Sequence, residues 1–152
     1  MSTETTGRAA LPGTYVPAEL YSQVQQFYAR QMGLIDDGRA EEWAATFTED
    51  AVFEEPSRLD PLRGRDAIRV SCRARADRLE AENTDFRHWL GMLDVRPQDD
   101  GSLRTRAYAL AMRIPRGGAL DIFASVVCED HLVPSDGGWA VRHRHLQHDG
   151  AE

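Results

Sequence analysis

From Pro17 onward, apolar side chains recur at steps of three and four: Leu20, Tyr21, Val24, Phe27, Tyr28, Met32 and Ile35. That spacing predicts an amphipathic helix, with Pro17 suited to its first turn and Gly38 to its C-terminal stop. AEEWAATFTED (40–50) predicts a second short helix, with Trp43 and Phe47 on one face. AVFEEP predicts a short strand stopped by Pro56, SRLDPLRG a loop, and RDAIRVSCRARADRLEAEN a third helix striped by Ile68, Cys72, Ala76 and Leu79. After residue 84 the period shifts to two, the alternation of strands. The segments are DFRHWLGMLDVRP, LRTRAYALAMRIP, ALDIFASVVCEDHLV and GWAVRHRHLQ, separated by the Gly-bearing turns QDDGS, RGG and SDGG. Short turns of this kind predict an antiparallel meander. The fold class is therefore α+β, with three N-terminal helices packed on one face of a curved antiparallel sheet and a cavity at its open end. Residues 1–16, small, polar and punctuated by Gly and Pro, are read as a flexible tail, and 17–150 as a single domain.

Alternation also sorts candidate side chains by face. His88 shares its face with Phe86, Leu90 and Met92, so it is either a core histidine or a base in a cavity. Trp89, Leu93 and Val95 fall on the opposite face. Three helices cannot cover both faces of one sheet, so an apolar outer face implies a homodimer through the sheet. Asp36 adjoins the apolar stripe of the first helix at its negative end; the plainer alternative is a solvated Asp-Asp-Gly turn. Of Glu54 and Glu55, alternation sends one inward. Tyr28 and Tyr108 are candidate hydrogen-bond donors to a phenolic ligand, Tyr108 sharing its face with Arg106, Leu110 and Met112, and Ala107, Ala109 and Ala111 lying on the other. His143 and His145 sit two apart and face one side. Such a pair can ligate a metal with Glu129, His131 or His148, but a pocket-lining role is favoured and no metal is expected.

Composition narrows the chemistry. All 18 Lys and Arg residues are arginine, which excludes Schiff-base, pyridoxal phosphate and Walker lysine chemistry. The net charge of −7 argues against a nucleic-acid groove. Cys72 and Cys128 stand alone and suggest buried thiols rather than a disulfide framework or a zinc ribbon. With no apolar run of membrane-span length and no signal-peptide core, the expectation is a soluble, cytoplasmic protein. Carboxylates, imidazoles and phenols remain to carry any reaction.

The order of these signals resembles the NTF2-like superfamily and, within it, the SnoaL-like proteins of bacterial polyketide pathways. The resemblance rests on LIDDGRAEEWAATFTEDAVFEEP, the helix start GRDAI, the strand RHWLGM and the closing hairpin CEDHLVPSDGGWAVRHR, and spans about residues 17–147. It implies a cone-shaped barrel, a homodimer, and either a cofactor-free enzyme or a non-catalytic subunit like those of ring-hydroxylating dioxygenases. Scytalone dehydratase-like members carry an aspartate at the end of the first helix and a histidine on the strand after the third, which places Asp36 and His88 in those roles. SnoaL-like cyclases use an acid on the penultimate strand, which falls at Asp130, with Glu129 as its neighbour. The second histidine and the tyrosine of the dehydratases lack clear counterparts; Glu55 and Arg106 sit near those positions, and Glu55 is favoured over Glu54.

The sequence thus predicts a cofactor-independent cyclase, dehydratase or isomerase of antibiotic-type secondary metabolism. Asp36, His88 and Asp130 or Glu129 would move protons on an aromatic polyketide-type ligand. Tyr28, Met32, Phe53, Glu55, Phe86, Leu90, Tyr108, His143 and His145 would line its pocket. The alternative is a ligand-binding or scaffold subunit without catalysis.

Overall fold

Helix α1, Ala18–Asp36, turns Val24, Tyr28 and Gln31 into the interior. It stops where Gly38 adopts a φ of 72°. The Gly38 N–H donates to the Ile35 carbonyl at 3.1 Å and the Arg39 N–H to the Leu34 carbonyl at 2.9 Å, a Schellman motif that needs a residue tolerant of left-handed geometry. These elements come from a computed structural model that describes residues 15–150. The tail expected over 1–16 lies outside the described residues, apart from Tyr15 and Val16; Val16 packs against the core.

The stretch 40–50 is not one helix. Helix α2 covers only Ala40–Ala44, and strand β1 runs from Phe47 to Glu54. Thr46, Phe47, Thr48, Val52 and Phe53 are β-branched or aromatic and favour the extended chain, and the Val141 N–H donates to the Thr46 carbonyl at 2.9 Å. The loop expected after Pro56 contributes a two-residue edge strand, β2, Leu62–Arg63. Helix α3, Arg65–Ala81, buries Ile68 and Cys72. Strands β3 (Thr84–Pro97), β4 (Leu103–Pro115), β5 (Asp121–Ser135) and β6 (Gly138–His148) follow.

The six strands form one sheet in the order β2-β1-β6-β5-β4-β3. Pairing is antiparallel through β3 to β6, as the turns predict, but β1 joins β6 in parallel. The sheet bends without closing, so it is an open cone rather than a barrel. The helices and the inner sheet face enclose a core that includes Trp43, Phe47, Ile68, Leu103, Leu132 and Val141.

A bulge in β3 changes which side chains face inward. Register with β4 shifts between Gly91 and Asp94, and Met92 takes a φ of 53°. The extra residue breaks the two-residue alternation. Leu93 and Val95, expected outside, are therefore buried, while Met92, expected beside His88, is 80% exposed. His88 and Leu90, which precede the bulge, keep the expected face.

Beneath the sheet centre lies a buried polar network. Arg144 Nε and Nη2 donate to Oδ1 and Oδ2 of Asp130, each at 2.9 Å, and Nη2 also donates to Gln31 Oε1 at 2.6 Å. The Tyr28 hydroxyl donates to Asp130 Oδ2 at 2.6 Å and lies 2.6 Å from Thr105 Oγ1. Burial and the Asp130 charge push the Tyr28 phenol well above its ordinary pKa. Burial opposes the Arg144 charge, but Asp130 more than offsets it and holds the guanidinium protonated. Asp130, expected as a second acid, and the Tyr28 hydroxyl, expected as a ligand donor, are hydrogen-bonded to each other here and tie α1 to β5 and β6.

Two outcomes follow from this architecture. Met92→Gly should unfold at the same or higher urea concentration than the parent and Met92→Val at a lower one, separated by about 1–2 kcal/mol, the cost of a left-handed non-glycine residue; destabilisation by glycine would contradict the bulge assignment. Asp130→Asn should lose about 3–5 kcal/mol of unfolding free energy, because a buried guanidinium is left without its counter-charge. A loss below about 1 kcal/mol would match a pair in contact with solvent instead.

Candidate active site

The Asp36 carboxylate ends α1 and meets β3 with both oxygens. Oδ1 lies 2.5 Å from His88 Nδ1, and Oδ2 accepts the His88 backbone N–H at 3.0 Å. Both side chains are largely buried. A carboxylate held against Nδ1 selects the tautomer with its proton on Nδ1, leaving the lone pair on Nε2. Among the described residues, Nε2 makes no hydrogen bond. His88 lines a cavity of about 170 Å³ between the helices and the inner face of the sheet. A wider recess of about 620 Å³ lies along α1 and β3, where Asp36 and Tyr28 contribute to the wall; Met32, His88 and Leu90 line both spaces.

Of the residues expected in the pocket, Met32, Phe53, Glu55, Phe86 and Leu90 join His88 around the 170 Å³ cavity. Glu55 rather than Glu54 faces in, and its Oε1 accepts Arg58 Nε at 3.1 Å. The small side chains of Ala109 and Ala111 also line the cavity; their lack of bulk leaves the space that a larger residue would fill.

Tyr108, Glu129, His143 and His145 lie on the outer face. Tyr108 is 48% exposed and stacks under the Arg106 guanidinium, 5.1 Å from its ring centroid. Glu129 pairs across the strands with Arg106 and His145, and His145 Nδ1 is 4.0 Å from Glu129 Oε1. His143 Nε2 contacts Glu54 Oε2. The expectations for Tyr108, Glu129, His143 and His145 in the pocket are therefore corrected. Two-residue spacing puts the two histidines on one side, but that side carries Glu54 and Glu129 and faces away from the cavity. Asp130, on the inner side of β5, lies in the network below rather than on the cavity wall.

Several cavity residues escape the sequence reading. Arg75 lies seven residues after Ile68 and three after Cys72, so the α3 stripe itself points it inward. Its guanidinium carbon sits 4.5 Å from the Phe86 ring centroid. Trp43, placed by sequence on an apolar face, reaches the cavity wall, and its indole N–H is buried without a partner among the described residues. Phe123 packs edge to face on Phe86, with centroids 5.5 Å apart, and reaches the cavity beside a register shift in β4 and β5. His148 lines it from the end of β6.

Residues 17–145 match the model of the SnoaL-like domain. The structure is similar to that of Aln2 from a Streptomyces species, at 34% identity and a TM-score of 0.81, covering 88% of this chain and 94% of that one. It is also similar to a Catenulispora acidiphila protein in complex with S-DNPA, at 36% identity and a TM-score of 0.74, covering 88% and 96%. An NTF2-like protein of Novosphingobium aromaticivorans, 21% identical with a TM-score of 0.74 over 88% of this chain and 84% of that one, shares the fold. No protein of curated function matches the chain. No described helix is long and apolar enough to cross a membrane. Matched along nearly all of its described length, the chain belongs to the SnoaL-like family and carries the NTF2-like fold.

Proposed function

We propose that the protein is a cofactor-independent cyclase, dehydratase or isomerase, acting by general acid–base catalysis on an aromatic polyketide-type intermediate. The observation that carries this reading is the Asp36–His88 pair: an imidazole oriented by a buried carboxylate, with its other nitrogen free at the wall of an apolar cavity. His88 Nε2 takes a proton from a carbon next to a carbonyl, or from a hydroxyl, and returns it to the product. Asp36 keeps the ring in the receptive tautomer and stabilises the imidazolium that forms. Met32, Phe53, Phe86 and Leu90 bind a flat ligand by burial and keep water from the transferred proton. The complex of the Catenulispora relative with S-DNPA supports a small-molecule ligand and makes S-DNPA the first compound to test.

The outer sheet face supports a second element of this reading, a homodimer. Trp89 and Leu110 pair across strands, as do Met112 and Ile122. Trp89 is 66% exposed and Ile122 62%, a patch suited to a second copy. The patch is centred on Trp89, Tyr108, Leu110 and Ile122; Leu93 and Val95, invoked from sequence, are not part of it.

Three outcomes test the proposal. His88→Ala should lower turnover of a polyketide-type substrate by about 10²–10⁴-fold, the usual worth of a positioned base, with circular dichroism and thermal midpoint unchanged. Full activity in that variant would overturn the base assignment. Ala109→Phe should fill the cavity and abolish S-DNPA binding in calorimetry; undiminished binding would place the ligand elsewhere. Leu110→Arg should shift the mass in light scattering from dimer to monomer, and a parent that is itself monomeric would remove the dimer.

A further inference from the structure

Arg75 is a cation without a counter-ion inside the cavity. It projects from α3 beside Phe86, whose ring takes one face of the guanidinium at 4.5 Å. Among the described residues it makes no hydrogen bond and no ion pair. The other arginine on the cavity wall, Arg144, differs in this respect, since Asp130 and Gln31 occupy it. The carboxylates whose fields reach Arg75 are Asp36 and Glu55, and both are engaged: Asp36 holds His88, and Glu55 holds Arg58. Burial pulls the Arg75 pKa below the ordinary arginine value, yet an arginine keeps its charge in any folded protein. A partly buried guanidinium with unfilled donors is costly to the unliganded fold. A ligand that brings an anionic oxygen group would satisfy it.

We propose that Arg75 receives a carboxylate on the cavity ligand, so that the substrate class is an aromatic carboxylic acid rather than a neutral polyketide. The inference rests on the reading of this cavity as a small-molecule site. The planar fork of donors matches the two oxygens of a carboxylate, while the Phe86 ring holds the guanidinium carbon at 4.5 Å from its centroid. A ligand anchored there lies across Ala109 and Ala111, with its reacting carbon toward His88, which also lines the cavity. Arg75 is then a positioning and specificity-determining residue, separate from the proton-transfer pair.

The test is calorimetric titration of the full chain with 2-naphthylacetic acid and its neutral counterpart 2-naphthylacetamide at pH 7.5. The parent should bind the acid at least about tenfold more tightly, the effect expected of a charge-assisted pair. Arg75→Gln should erase the preference, and Arg75→Lys should retain part of it, with thermal midpoints showing that both variants fold. Equal binding of acid and amide by the parent would overturn the carboxylate site while leaving the aromatic cavity intact. A preference that survives in Arg75→Gln would also overturn it, because the anion would then sit elsewhere. If neither compound binds, the inference falls together with the reading of the cavity on which it rests. An acid preference that depends on Arg75, in a protein whose His88→Ala variant is fully active, would uphold the anion site and remove the catalytic proposal alone.

Discussion

The geometry of the cavity depends on how α1 is fixed to the sheet, and two carboxylates fix it. In the middle of the helix, Tyr28 and Gln31 reach the Asp130–Arg144 pair, which spans β5 and β6. At its end, Asp36 bonds both the backbone and the ring of His88 on β3. A helix anchored at one point could pivot; held at both carboxylates and by the Tyr21 hydroxyl, which donates to the Leu93 carbonyl of β3 at 2.8 Å, it presents Asp36 to β3 in one register. The buried network, whose Arg144 also reaches the cavity wall, thus sets the precision of the proposed chemistry, since misplacement by about 1 Å can cost 10²-fold in rate. Buried ion pairs are poor sources of net stability compared with apolar packing. Their value here lies in positioning.

The space beside the pair comes from a division of labour within β4 and β5. Ala107, Ala109 and Ala111 alternate on the inner face, and Cys128 adds another small buried side chain where β5 pairs with Ala107. Larger aromatic groups, Phe53, Phe86 and Phe123, surround the resulting void. Burial holds the Cys128 thiol protonated, so it acts as filling rather than as a nucleophile. The outer positions of the same strands carry Tyr108, Leu110 and Met112. One face of the strand thus makes the cavity, and the other an apolar surface.

Much of this was legible in the residues, and the failures have identifiable causes. The three-and-four spacing located α1 and α3, and the Asp-Gly and Gly-Gly turns located the β3–β6 meander. His88 and Asp36 were readable because one shares a strand face with Phe86 and Leu90 and the other adjoins an apolar stripe. Periodicity failed at Met92, where a bulge inserts one residue and reverses the faces of everything beyond it. It also failed for His143 and His145, because the register of β6 on β5 shifts between His131 and Leu132, and the extra residue turns both histidines away from the inner face that Val141 takes. The parallel pairing of β1 with β6 joins segments far apart in sequence, and no local signal encodes it. Arg75 was in reach, at the correct spacing on the α3 stripe, but a charged side chain there reads as solvated until the cavity around it is seen.

In the proposed mechanism His88 faces the cavity as a base oriented by Asp36. That role is tested most directly by a long-range proton–nitrogen NMR spectrum of histidine-labelled protein, recorded at a pH where the ring is neutral. A base so oriented shows its proton on Nδ1, a lone-pair signature at Nε2, and a shift of the Nε2 signal when an aromatic ligand enters the cavity. A proton found on Nε2, with no response to such a ligand, would contradict it.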